Sequence, residues 1–575
     1  MKKDPIVNCH THIFTADHVP PYLAKTLVPD IFYWVFHLGF FIGRFRWWYN
    51  GPGKWRYSSQ AKRWQKKWYR ISMCISRSKL FNFLYWLIGT WIFIQLLFFS
   101  LDHITNLLSG NETYKAVRNF LVSYRIYIVT INLAYSLLFY FTLFIFFPSL
   151  RSLLIFTLKK LIRFLGMLPG KETKKLAARY LNIGRHAFYR RQEGIFINLR
   201  DQYPSGTRFI VLPMDMEFMQ AGKVKENYLT QIDKLAAIKA NKTYGPLIHP
   251  FIFIDPRRIV KDKSFFNYSV QDGEVILNPE CRVKQLIEDQ GFAGFKLYPA
   301  LGYYPFDKNL LALWKYAQQK NLPIMTHCIR GTIFFRGEKD PAWDEHPIFE
   351  QASAKDIFEP LLLPQIKNVD FCNNFTHPLN YLCLLDEQLL IKVLSRCGDK
   401  ETQSLFGYTE NCTSLSSNLS QLKICLAHFG GEDEWLRYFE LDRDKNSTQV
   451  VKHPDHGIDF RTNKDLKERK GKLEQLWKYC DWYSIICSLI LQYENVYADI
   501  SYISHDNAIH ALLKRTLREE NTKLRKRILF GTDFYVVRNH KTEKQIIADT
   551  FGGLNTEEFD IIARENPKSY LARLP

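Results

Sequence analysis

VNCHTHIF, residues 7–14, places two histidines one residue apart directly behind a short apolar run that starts at Pro5. Side chains alternate faces along a strand, so His10 and His12 at such a strand's end stand on one side of the pleat, where two imidazoles can grip one cation. With Pro5–Cys9 as the first, seven further apolar runs have the length and composition of buried strands. They are Phe209–Pro213, Leu247–Ile254, Gly294–Leu297, Pro323–Thr326, Lys423–Leu426, Val496–Asp499 and Arg527–Phe530. Helical patterns at about 225–240, 308–320, 380–395, 474–492 and 507–522 fall between them. Short strands alternating with helices predict a parallel sheet.

Eight such strands predict an α/β chain folded as a closed (β/α)8 TIM barrel, in which chemistry gathers at the C-terminal strand ends. The polar residues fall there. The fourth run contains Lys296, the fifth is followed by His327, the sixth by His428 and the eighth by Asp533. Each alone is weak, because a lone histidine behind a strand is more often structural than a ligand. The ordered set is what points to a metal site. His249, His346, His453 and His456, on a strand or in long loops, are assigned no role. Segments 331–358 and 396–420 are long for barrel connections and are expected to cover the pocket.

The segments VNCHTHIF, GFAGFKLYPALGYYPFD, LPIMTHCIRG, FTHPLNY, LKICLAHFGG and ILFGTDF resemble the amidohydrolase superfamily. Within it they are similar to the amidohydrolase-2 group, which includes aminocarboxymuconate-semialdehyde and resorcylate decarboxylases. The resemblance covers residues 6–17 and about 200–575. It implies a divalent ion held by His10, His12, His327 and Asp533, with His428 as the catalytic imidazole and Asp533 also able to accept a proton from water. Such a donor set suits zinc or a related first-row ion, which lowers the pKa of water. Lys296 stands where binuclear relatives carry a carboxylated lysine. It becomes a ligand only when carboxylated, and otherwise meets a substrate carboxylate or supports the strand end. Arg330 is a candidate contact for an anionic substrate or a solvated loop arginine; His377 and Asp499 are candidates for a supporting shell.

Between about residues 21 and 170 the composition changes. The formal charge is +21, but from Ile42 to Lys79 there are eleven basic residues and no acidic one, and from Arg151 to Lys175 seven more against Glu172 alone. The basicity therefore belongs to this insertion, which follows the first strand, and the rest of the chain (171–575) is close to neutral. Phe81–Leu101 and Ile126–Phe147 carry no charge over about 20 residues, the length of a membrane span, and are expected to form a transmembrane hairpin. Ile31–Gly43 is too short for a third span and is expected to lie at the interface, as is Leu153–Leu168. Lys and Arg flank both outer ends, which predicts a cytoplasmic barrel on an inner or plasma membrane. Interleaved aromatic and basic residues at 45–70 would also suit single-stranded nucleic acid. Their place beside a span favours anionic lipid, and no nucleic-acid partner is expected.

Eleven cysteines without a CxxC pair predict reduced thiols, and no cleavable signal peptide is expected at the N-terminus. The leading expectation is hydrolysis of an amide, ester or lactone bond of a small molecule, amphiphilic if the membrane delivers it. The alternatives are decarboxylation or hydration of an unsaturated or aromatic carboxylic acid, and a membrane-tethered ligand sensor without turnover. Oligomerisation is left open.

Overall fold

Apolar residues recur at every second position along the short strands, and the pleat sends the two sets to different cores. Val7 and Cys9, Ile210 and Leu212, and Cys425 and Ala427 face an inner cluster. Phe209 and Val211, and Ile424 and Leu426, belong to a much larger outer one. That division requires a sheet closed on itself and wrapped by helices. The computed structural model describes residues 4–20, 59–103, 112–128, 189–331, 333–354, 357–363, 368–439, 446–462 and 469–571. The chain divides into two compact units, one of residues 1–43 and 176–575 and one of residues 44–175.

The strands of the first unit are β1 (Val7–Thr11), β2 (Arg208–Val211), β3 (Ile248–Phe253), β4 (Tyr268–Gln271), β5 (Glu274–Leu277) and β6 (Gly294–Leu297). They continue with β7 (Ile324–His327), β8 (Glu345–Ala354), β9 (Ile357–Leu362), β10 (Ile424–Ala427), β11 (Val496–Asp499) and β12 (Ile528–Leu529). Eight of them form a parallel sheet in the order β1-β2-β3-β6-β7-β10-β11-β12. Its ends meet: the Cys9 N–H donates to the Phe530 carbonyl at 2.8 Å, and Thr11 bridges Phe534 in parallel. These are the eight runs expected from the sequence, and the architecture is a nearly closed (β/α)8 barrel. Tyr570 and Leu571, from the last helix Asn566–Leu571, complete the inner core.

The other four strands form two antiparallel hairpins, β4–β5 and β8–β9. The second occupies the segment expected to cover the pocket at 331–358. Segment 396–420 behaves differently from expectation, because Ser417 and the Asn418 carbonyl take hydrogen bonds from Lys315 and Gln318 on the helix Lys308–Gln319. It packs against the barrel's helical layer, and none of its residues lines the metal pocket described below. The expected helix 474–492 is two helices, Lys472–Tyr479 and Trp482–Gln492, divided where Asp481 caps the second by accepting the Ser484 N–H at 2.7 Å.

The second unit contains the helices Ser59–Arg77, Lys79–His103 and Glu112–Ser123. Among the described residues no helix is long and apolar enough to cross a membrane, so the first span of the expected transmembrane hairpin, Phe81–Leu101, is not supported. The first expected span lies within Lys79–His103, where Asn82, Thr90 and Gln95 interrupt the apolar run. Gln95 is buried, donates to the Ile126 carbonyl and accepts the Ile128 N–H at 3.0 Å, while Phe98 packs on Tyr114 and Tyr127. That helix therefore uses one side to pack within its own unit. The second expected span lies outside the described residues beyond 128, and the interfacial segments 31–43 and 153–168 lie wholly outside them. All eleven cysteines are free thiols, most of them buried.

Candidate metal centre

The alternation of β1 is broken by a register shift against β2 between Asn8 and Thr11. Such a bulge re-aims side chains. Cys9 faces the inner core, and the adjacent His10 turns to the same axis at its C-terminal end, where both are fully buried. On β6 the regular pleat suffices: Phe295 and Leu297 enter the outer core and Lys296 points the other way.

Hydrogen bonds fix which nitrogen of each imidazole carries its proton. His12 Nδ1 lies 2.8 Å from the Leu212 carbonyl oxygen, which only accepts, so Nδ1 is protonated and, in the neutral ring, Nε2 keeps its lone pair. His10 Nδ1 donates to Asp499 Oδ2 at 2.9 Å, fixing the same tautomer. Nε2 of His12 then stands 3.1 Å from Asp533 Oδ1, and Nε2 of His10 stands 3.6 Å from that oxygen. His10 Nε2 is buried with no hydrogen-bond partner among the described residues. Burial, with Lys296 and His12 adding to it, holds the His10 pKa well below its usual value, so its ring is neutral. With both rings in the neutral tautomer that metal binding requires, three acceptors converge with no proton to share. That is unfavourable unless a cation lies between them, and His10, His12 and Asp533 fit a divalent ion.

Asp499 supports this group from behind. Its Oδ1 accepts the backbone N–H groups of His428 at 2.9 Å and Ser501 at 3.0 Å, and also the Ser501 hydroxyl. His428 Nδ1 donates to the Ser501 carbonyl at 3.2 Å, and its Nε2 accepts the His327 Nδ1–H at 3.1 Å. His327 Nε2 is left buried and unpartnered among the described residues, beside Gly331, where a Cβ would come within 3.0 Å of it. The structure therefore does not bring His327 into the group of mutually close ligand atoms. Burial pushes the His428 pKa down to about 3, with His10 reinforcing and Asp533 opposing, so this ring too is neutral. His428, Tyr502 and Asp533 all have positive φ, of 65°, 63° and 61°. For non-glycine residues this costs about 1–3 kcal/mol each and is typical of functional sites.

Lys296 is fully buried, and its Nζ has no hydrogen-bond partner among the described residues. Burial lowers its pKa to about 8, with Asp499 and Asp533 pulling the other way. Arg330 lines the pocket but is committed to Glu434 at 3.2 Å and to the face of Trp482. His377 lies elsewhere. It caps a short helical turn by accepting the Leu379 N–H, and its ring stacks on Trp477 at 3.9 Å. The pocket over the acceptors, of about 80 Å³, is bounded by His12, His327, His428 and Asp533 together with Tyr298 and Tyr502. The two tyrosines and Ser501 had no role in the sequence reading. Tyr298 follows Lys296 by two residues and stacks on His327 at 3.9 Å, and the other two immediately follow β11. Their positions behind strand ends are the signal that would have found them.

No protein-family model matches the chain, and no curated protein matches it. Among solved structures it is similar to a dihydroxybenzoic acid decarboxylase from a Polaromonas species, solved with manganese and the inhibitor 2-nitroresorcinol. The identity is 14%, over 72% of this chain and 92% of that one, with a TM-score of 0.32. A TIM-barrel protein from Bordetella bronchiseptica is 11% identical over 70% and 91% of the two chains, at a TM-score of 0.31. An amidohydrolase from Mycobacterium avium subsp. paratuberculosis is 14% identical over 71% and 82%, at 0.28. At such values the assignment of the barrel and its centre rests on this chain's own topology and residues.

Proposed function

We propose that this chain is a metal-dependent enzyme of the amidohydrolase type that hydrolyses an amide, ester or lactone bond of a small molecule. The observation that carries the reading is the convergence of His10 Nε2, His12 Nε2 and Asp533 Oδ1 at the C-terminal end of the barrel. When bound there, a divalent cation, with zinc the first choice for imidazole and carboxylate donors, supplies Lewis acidity that polarises a carbonyl and acidifies water. The remaining roles belong to the chain. Asp499 holds His10 in the tautomer that offers Nε2. The unpartnered Nε2 of His327 accepts a proton at the pocket wall, and its Nδ1 proton then moves toward His428 and the Ser501–Asp499 pair behind it. Tyr298 and Tyr502 line the pocket beside these rings.

The test is turnover of an amide, ester and lactone panel in ¹⁸O-labelled water. The reading expects one labelled oxygen per product carboxylate, loss of activity on chelation and its return with a divalent ion. Release of CO₂ from a carboxylic acid without incorporation of label would replace hydrolysis with decarboxylation on the same residues.

We further propose that the second unit attaches the enzyme peripherally to an anionic bilayer at the cytoplasmic membrane face. On Ser59–Arg77, Trp64, Trp68 and Tyr69 are exposed beside Arg63, Lys66, Lys67 and Arg70, the composition that suits headgroup depth. Vesicles containing phosphatidylserine should sediment the protein and vesicles of pure phosphatidylcholine should not. Equal recovery with both would overturn the attachment.

A further inference from the structure

The barrel unit holds a second cavity. It measures about 490 Å³ and shares no lining residue with the metal pocket. That volume lies within the range of small-molecule sites. One wall is aromatic: Tyr304 stacks on Phe306 at 4.9 Å and meets Phe375 edge-on at 4.7 Å, and Trp343 meets Phe375 at 5.0 Å. The hydroxyl of Tyr304 is buried with no hydrogen-bond partner among the described residues. The rim is cationic. Lys261, Lys308 and Arg396 are exposed at it, and none of the three forms an ion pair with a described residue; Asp307 is the carboxylate that faces them. Lys308 also opens the 12-residue helix Lys308–Gln319, whose N-terminal end favours negative charge.

We propose that this cavity is a second ligand site, for a small aromatic carboxylate, and that its occupancy is felt at the metal centre. The flat apolar wall takes the ring and the rim takes the charge. The connection is the turn 298–304, which serves both pockets. Gly302, Tyr303 and Tyr304 line the second cavity, and Tyr298 lines the first and stacks on His327. The turn is held as a unit. The Tyr303 hydroxyl accepts the Tyr298 N–H and donates to the Ile254 carbonyl, both at 3.0 Å, and Arg257 donates to the Leu301 carbonyl at 3.0 Å. Gly302, at φ +97°, lies so close to Trp343 and Phe335 that a Cβ would meet both at 3.2 Å. A ring seated against Trp343 therefore bears on Gly302, and through the turn on Tyr298 and His327.

The probe is 2-naphthoate, titrated calorimetrically into the full-length protein as purified. Saturable binding is expected, at least tenfold weaker for neutral 2-naphthamide and for the double variant Lys308→Glu/Arg396→Glu. Binding should persist in Asp533→Asn, which places it outside the metal pocket, and 2-naphthoate should shift the apparent metal affinity of the wild type. The proposal is overturned by absence of saturable binding, by equal binding to the double variant, by abolition of binding in Asp533→Asn, or by a metal affinity indifferent to the ligand. Trp343→Ala, which opens the aromatic wall without touching the charge, should weaken 2-naphthoate and 2-naphthamide by similar factors.

Discussion

The two oxygens of Asp499 divide their work, Oδ2 accepting the His10 proton and Oδ1 gathering the His428 and Ser501 backbone amides. A carboxylate that orients a ligating imidazole tunes the metal without touching it, and loss of such a partner typically costs about 10–100-fold in affinity. Asp499→Asn should therefore bind its divalent ion that much more weakly while keeping the wild-type circular dichroism spectrum, as a competition titration with a chelating dye would show. An unchanged affinity would mean that His10 does not depend on this tautomer. At this scale the chemistry of His10, His12 and Asp533 was legible from residue type and spacing. The aim of His10 was not, because it depends on a bulge in β1 that strand periodicity does not report. Nor was the Nδ1–Nε2 bond that ties His327 to His428, which arises between β7 and the turn after β10 across 101 residues of chain.

All eight barrel strands were readable because each is buried on both faces and forms a short apolar run ending in a change of chemistry, as at Gly294–Leu297 and Val496–Asp499. The hairpin β8–β9 was not, since Glu345–Ala354 mixes buried and exposed positions without a clean alternation. The uncharged run Phe81–Leu101 misled for a related reason: length and apolarity describe a span and a packed helix equally, and the decisive contact is Gln95 with the chain at Ile126 and Ile128. The division of 474–492 turns on a single cap. Asp481 is fully buried, and replacing it with alanine frees the Ser484 N–H at the start of Trp482–Gln492, a helix that packs on the turn after β10. Asp481→Ala should cost about 1–2 kcal/mol in chemical denaturation, with the barrel's secondary structure retained. A cost near zero would show that the division does not depend on the cap.

Across the whole molecule, buried histidines link the fold to pH. His249 on β3 is buried, its Nε2 has no partner among the described residues, and burial pushes its pKa down to about 3. The unfolded chain takes up this proton near the ordinary value of 6.5 while the folded chain does not, so stability falls as pH drops from about 6.5 toward 3. Between pH 7 and pH 5 this single group withdraws about 2 kcal/mol. His249→Phe, which keeps a ring in place and removes the titration, should show a shallower acid dependence of its unfolding midpoint than the wild type, and parallel profiles would contradict that origin. The same scale separates the two units' charges, with most of the +21 in the insertion and a near-neutral barrel around the centre. Plasma mass spectrometry of purified wild type, His12→Ala and Asp533→Asn decides whether the barrel's C-terminal end is a metal centre built on His10, His12 and Asp533. About one divalent ion per wild-type chain, lost in both variants while their folded spectra persist, is the predicted result; a wild type without stoichiometric metal, or variants that retain it, would contradict the account.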